Sequence, residues 1–222
     1  MGKIYIGIDA SITSTAVCIE EDGIERFINY TTADNTTKWM SLVEPLVEFN
    51  RVRYEYPKDY SSSEIYKLNS YQITADLVSA DISDGAIVGM EAYSQSSAAG
   101  HLIDLVTLGT FIRKGVVTKC NNFSLYAPMT MKKEACRIAY KNADKKGIWR
   151  NPDGVAGGSF KKHEMFRAML DYSNGALSIL LNPHRDVLLA MKNLPKPIDD
   201  IVDAFWAKEI AKEIAVNKGT DI

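Results

Sequence analysis

The sequence predicts an α/β fold: a mixed five-stranded sheet, three antiparallel strands followed by parallel ones, with helices on both faces. Three observations carry this. The first 30 residues hold three short β-branched and apolar runs joined by tight polar turns. From residue 63 onward, helical spacing alternates with short apolar runs. At 222 residues and 46% hydrophobic content, the chain can bury a full core as one domain spanning 1–222.

Residues 4–9 and 15–20 alternate or run apolar, and Glu21-Asp22-Gly23 supplies a hairpin turn into a third strand at 24–30. Residues 39–49 and 63–79 have helical spacing, separated by a polar, Tyr-rich connection over 50–62. Residues 86–91, AIVGME, form a short apolar run that suits a buried parallel strand and ends in a carboxylate. A helix over 95–114 follows, with small residues on one side, then a strand over 123–127 stopped by Pro128. A basic helical stretch comes next, interrupted by the Gly/Asn/Pro segment 147–158, and a helix resumes over 160–172. Residues 177–196 are ambiguous by pattern. A final helix covers 197–216, with Pro197 at its start and Asp199 and Asp200 in its first turn.

The net charge of −2 conceals an uneven distribution. Residues 132–167 carry 10 Lys and Arg against 4 Asp and Glu, a balance of +6, which leaves −8 for the rest. One polyanion-binding face on an acidic body has this pattern, and so does a solvated pair of basic helices. Cys18, Cys120 and Cys136 are odd in number and widely spaced, as expected of reduced thiols and unlike a disulfide or zinc framework. No apolar run reaches the roughly 18 residues of a membrane span. The apolar stretch 4–8 is too short for a signal peptide, and Ile6 stands where a myristoylation signal wants Ser or Thr. A cytoplasmic protein is expected.

Acids meet apolar surroundings in three places: Asp9 after the first strand, Glu91 at the end of the fourth, and Asp199, Asp200 and Asp203 on the last helix. Helical spacing lets Asp203 act with Asp200 or with Asp199. If the first and fourth strands are neighbours, Asp9 and Glu91 lie side by side at one sheet edge. Singly, Asp9 serves as a turn residue, Glu91 as a helix cap, and Asp199 and Asp200 as helix-start acids. Together they repel, and a cation among them resolves that. Hard oxygen donors suit Mg2+, with Mn2+ able to substitute. Two such ions about 3.5–4 Å apart would clamp an in-line phosphoryl displacement.

The stretches IYIGIDASITSTAV, IVGMEAYS, YAPMTMKKEACRIAYKNADKKG and DDIVDAFWAKEIA, in that order, resemble the RuvC-type Holliday junction resolvases of the ribonuclease H-like superfamily, with a phage-encoded branch as the expected place within it. IYIGIDASITSTAV is similar to the family's first strand with its metal-binding Asp, and IVGMEAYS to the fourth strand with its metal-binding Glu. YAPMTMKKEACRIAYKNADKKG resembles the family's Tyr-Ala-Pro strand end with two later lysines. DDIVDAFWAKEIA resembles the closing helix with two Asp separated by two residues.

The resemblance implies metal ligands Asp9, Glu91, Asp200 and Asp203, with Asp199 as the alternative to Asp200, and two ions per site. It implies Lys132 close to the scissile phosphate and Lys145 as the second lysine that steadies it. It also implies a homodimer that cuts both strands of a branched DNA, leaving 3′-hydroxyl and 5′-phosphate ends. Lys133, Arg137, Lys141, Lys146 and Arg150 are expected on backbone phosphates. The family's crossover aromatic falls at Ser94 here, and the neighbouring aromatic is Tyr93.

Two other classes compete. The opening GIDASITSTAV also resembles the first phosphate motif of sugar kinases and chaperone ATPases, but their second Asp-Gly-Gly-Thr-like turn and adenosine-binding glycine pair are absent. A branched-DNA binder without catalysis would keep the fold. Its clustered acids near DNA would be a liability without metal.

Overall fold

A computed structural model of the chain describes residues 2–52, 60–93, 99–120, 122–141 and 143–217. Three strands open it: β1 (Ile4–Asp9), β2 (Ser14–Glu21) and β3 (Ile24–Thr31). The turn at Asp22-Gly23, both residues at positive φ, reverses β2 into β3. β1 and β2 are antiparallel, with Asp9 opposite Ala16, and β2 and β3 are antiparallel with Ser14 opposite Thr31.

The expected helix over 39–49 is two elements. α1 (Lys38–Val43) is capped by the Thr37 hydroxyl, and β4 (Val47–Arg51) then pairs parallel to β3. Pro45 has no N–H to donate into a further helical turn, so the helix stops. Val47 and Phe49, two apart, then turn to the same core as a strand requires. The sheet therefore has six strands among the described residues, ordered β4-β3-β2-β1-β5-β6.

β5 (Ile87–Glu91) runs parallel to β1, and β6 (Asn122–Tyr126) runs parallel to β5. α2 (Tyr60–Ala80) and α3 (Ala99–Val117) connect these strands and cover one face of the sheet, where Ile6, Ile8, Val88 and Met90 pack on Tyr71, Val78, Leu108 and Ile112. On α3 the small residues turn inward: Gly109 is covered by Tyr93 and Gly115 by Ser79.

The other face carries α4 (Pro128–Tyr140), α5 (Lys162–Tyr172) and α8 (Ile198–Asn217). Residues 177–196, unassigned by pattern, form α6 (Ala176–Leu181) and α7 (Arg185–Ala190), with a 3-10 turn at Asn182–His184 between them. The Gly/Asn/Pro segment before α5 is an ordered knuckle. Asp144 accepts the Lys146 and Ile148 N–H groups at 2.8 and 3.0 Å and the Arg150 Nε–H at 2.9 Å. No helix is long and apolar enough to cross a membrane among the described residues.

α8 is buried on nearly every side from Ile198 to Ala211, its polar positions Asp200, Asp203, Lys208 and Glu209 included. It approaches the sheet closely because two strand positions are glycine. A Cβ at Gly7 would collide with the Ala204 carbonyl oxygen, and one at Gly89 with that of Ala207. This contact sets where the acids of α8 lie.

Candidate metal and phosphate site

Side chains alternate along a strand, so Asp9 points to the same face as Gly7, and Glu91 to the same face as Gly89. Ile8 is in register with Met90, which sets Asp9 and Glu91 side by side at the carboxyl ends of β1 and β5. α8 crosses above the two glycines. Its first turns thereby bring Asp200 and Asp203 over the two strand-end acids. Asp9, Glu91 and Asp203 each present an oxygen within 4.8 Å of the others.

The acids form one wall of a cleft of about 320 Å³, shared with Tyr93, Lys132, Lys162 and Lys196. Burial raises the Asp9 carboxyl to about 6, with the Glu91 carboxylate adding to the rise and Lys162 and Lys196 opposing it. Burial also raises Glu91, and raises Asp200 well above the ordinary carboxylate range with Asp9 contributing. Asp200 and Asp203 are almost wholly buried, and each is ion-paired to a lysine that is not: Lys196 to Asp200 and Lys162 to Asp203. Lys196 also lies 3.3 Å from Asp199. Burial disfavours the charged Lys196 ammonium, but Asp200 and Asp199 outweigh it and hold its pKa up.

Asp199 has the helix-start role. Its Oδ1 accepts the Asp200 N–H at 2.9 Å, so Asp200 is the member of that pair that lines the cleft. The second Asp200 oxygen, Oδ2, is buried with no hydrogen-bond partner among the described residues. Hard oxygen donors, crowded acids and an unpartnered carboxylate oxygen together suit a small divalent cation.

The expected basic residues divide. Lys132 lines the cleft, and Lys133, Lys141, Lys145 and Lys146 are exposed along α4 and the knuckle. Lys145 does not line the cleft; Lys162 does. Two expected phosphate ligands are engaged internally. Arg137 pairs with Glu134 at 2.7 Å and Glu213 at 3.1 Å, and Arg150 pairs with Asp144. Tyr93 packs on α3 at Gly109, with the Arg113 guanidinium 5.1 Å from its ring centroid. Ser94 lies outside the described residues, as do 53–59 in the Tyr-rich connection and the first residues of the helix expected over 95–114.

Sequence reasoning missed Lys162 and Lys196. Lys196 carried a usable signal, because it stands four residues before Asp200 and three before Asp199, the spacing of helical ion pairs. Lys162 carried none, since only the packing of α5 beside α8 brings it to Asp203.

A larger cleft of about 690 Å³ lies at the other end of β2, lined in part by Glu20, Glu25 and Glu209. Its acids already have a cation. The fully buried Lys208 ammonium lies 2.8 Å from Glu20 and 2.7 Å from Glu25 and is also paired to Glu209. The Asp9 cluster, at the mouth of a cleft with exposed lysines, is the better place for chemistry.

No protein-family model matches the chain, and no curated protein matches it by sequence. Among solved structures it is similar to Thermus thermophilus RuvC in complex with a Holliday junction substrate, at 12% identity and TM-score 0.44, over 98% of this chain and 97% of that one. It is also similar to a Thermus thermophilus RuvC structure at 14% identity and TM-score 0.43, over the same shares. Likeness of this degree assigns no residue a role.

Proposed function

We propose that the chain is a divalent-metal-dependent endonuclease that hydrolyses phosphodiesters in four-way or otherwise branched DNA. The observation that carries this reading is the convergence of Asp9, Glu91 and Asp203 within 4.8 Å, beside Asp200, in a cleft that also holds Lys132 and Lys162. Asp9, Glu91, Asp200 and Asp203 would hold the metal, Mg2+ or Mn2+. When bound, it supplies positive charge to the scissile phosphate and activates a water for in-line attack.

The chain's own groups do the rest. Lys132, on the first turns of α4, offers an ammonium to a non-bridging phosphate oxygen in the cleft. Lys162, nearly half exposed on a flexible stem, reaches the same phosphate once Asp203 is occupied otherwise. Lys133, Lys141, Lys145 and Lys146 extend the positive surface along α4 and the knuckle, where they meet backbone phosphates without reading sequence. Arg137 and Arg150 hold that surface in shape through their own carboxylate partners.

A homodimer fits a two-fold junction. Ile103, Val106 and Val117 on α3 and Ile65, Ile73 and Leu77 on α2 are exposed and apolar, and they belong in its interface.

The test is a panel of labelled four-way junctions, flaps, Y-forms and linear duplex, incubated with the protein and magnesium. The expected result is magnesium-dependent scission of the branched substrates, lost in Asp9→Asn and Asp203→Asn with junction binding retained. Equal scission by wild type and both variants, or none on any substrate, refutes the reading.

A further inference from the structure

We propose that Lys196 is a resident cation. Its ammonium occupies the Asp200 side of the acidic cluster, and a divalent ion enters that side only by displacing it. The inference rests on the metal centre of the proposed function and concerns how that centre fills.

The cluster is unequal. Asp9, Glu91 and Asp203 converge on one another, whereas Asp200 does not belong to that trio. It is bound through Oδ1 to Lys196, while its Oδ2 stays buried without a hydrogen-bond partner. Asp200 is 1% exposed, and a carboxylate so placed is costly without a positive neighbour. Lys196 provides that neighbour: its side chain is 49% exposed, and its head group is ion-paired to Asp200. Pro195 and Pro197 flank it, so its backbone has little freedom while its side chain has much.

An ammonium held this way can leave. The Lys196 side chain is nearly half exposed and also lines the open cleft, so on leaving Asp200 the ammonium passes into solvent, where water accepts its hydrogen bonds. Lys208 is the contrasting case. Its ammonium is also surrounded by carboxylates but is fully buried, and no exit is open to it.

Two consequences follow from displacement. The three converging oxygens of the trio take the stronger ion, on release of Lys162 from Asp203, and the Asp200 side, which brings one carboxylate of its own, takes the weaker one on release of Lys196. The freed ammonium is then available to a phosphate oxygen of the substrate.

The experiment has two arms on the 222-residue chain. In the first, Mn2+ binding is followed by calorimetry for wild type, Lys196→Met and Asp9→Asn. Removing the competing ammonium is expected to tighten the weaker site by up to about fivefold, the range of a partly exposed ion pair. Asp9→Asn weakens the stronger one. In the second arm, wild-type protein is acylated with a limiting amine-reactive reagent, and the modification of Lys196 is read by mass spectrometry with and without Mn2+, against the exposed Lys192 as reference. Lys196 modification relative to Lys192 is expected to change several-fold on metal addition.

The second arm needs no variant and stands even if Lys196→Met folds poorly. Metal binding with identical affinities in wild type and Lys196→Met, or unchanged Lys196 modification at saturating metal, overturns the inference while leaving the metal centre intact. Absence of any Mn2+ binding by wild type overturns both.

Discussion

Asp9 concentrates the physics of the site in one carboxyl. Folding raises its pKa from the ordinary 3.8 to about 6, mainly through burial and then through Glu91. The native state therefore retains a proton that the unfolded chain releases between those values. Stability from this group is highest at low pH and falls as pH rises through about 6. A cation in the cluster favours the ionised form and reverses the trend. The rise in Tm on adding magnesium should accordingly be larger near about pH 7.5 than near about pH 5, read by differential scanning fluorimetry. Asp9→Asn removes the repulsion outright. We expect it to stabilise the metal-free protein by about 1–2 kcal/mol and to abolish the magnesium increment. A variant less stable than wild type without metal would show that Asp9 is well compensated already.

At this scale much of the site is legible in the sequence. Gly7-Ile8-Asp9 and Gly89-Met90-Glu91 repeat one pattern, glycine then acid two residues on, because the same strand face must first admit α8 and then supply a ligand. Asp200 and Asp203 follow from helical spacing. Lys162 does not, since no local pattern marks which of many lysines tertiary packing will carry to an acid.

Among the elements, α8 does two jobs along its length: its first turns bring acids to the cleft, and its middle anchors the helix. The anchoring has two parts, each testable. At Gly7 the helix backbone lies against the strand, so Gly7→Val must push α8 away from β1. Because Asp200 and Asp203 ride on the same helix, magnesium-induced stabilisation and scission should both fall by at least about tenfold, in a protein that circular dichroism shows still folded. Wild-type metal binding in Gly7→Val would mean that the acids do not depend on this contact.

The second anchor is Lys208, fully buried among Glu20, Glu25 and Glu209. Lys208→Met leaves those acids without their central cation, and we expect a loss of about 3–5 kcal/mol in urea unfolding. Glu20→Gln in the same background should restore part of it. The cluster lies at the far end of β2 from Asp9, so the Mg2+ dependence of the remaining folded protein should be unchanged.

The elements were readable where periodicity ran long and less so where two short ones met. Residues 39–49 look helical as a block, yet Pro45 ends α1 and β4 joins the sheet as a sixth strand. Five residues are too few for period two to outweigh the helical spacing upstream. The pairing partner that decides it, β3, is distant information.

The whole molecule has a basic side and an apolar side. The basic one follows the charge count of the sequence, but Arg137 and Arg150 are ion-paired within the fold, and under the proposed function the exposed lysines of α4 and the knuckle are left to meet DNA. The apolar one is formed by α2 and α3: the small residues of α3 pack inward on Tyr93 and Ser79, and the exposed surface bears Ile103 and Val106.

Ile73 on α2, 51% exposed, and Ile103 on α3, 66% exposed, contribute little to the fold of one chain in that state. Lysine at either position should leave Tm nearly unchanged, within about 0.5 kcal/mol of stability. In a two-fold dimer each substitution appears twice in one interface and places like charges across it. Sedimentation velocity is expected to give about twice 24.7 kDa for the wild type and a shift toward monomer in Ile73→Lys/Ile103→Lys. Paired incision of a four-way junction should then give way to independent single nicks, because each protomer keeps its own Asp9 cluster. A wild-type protein that sediments as a monomer at the concentrations used for cleavage would rule the dimer out, and junction cutting by two unlinked events would be left as the mode of action.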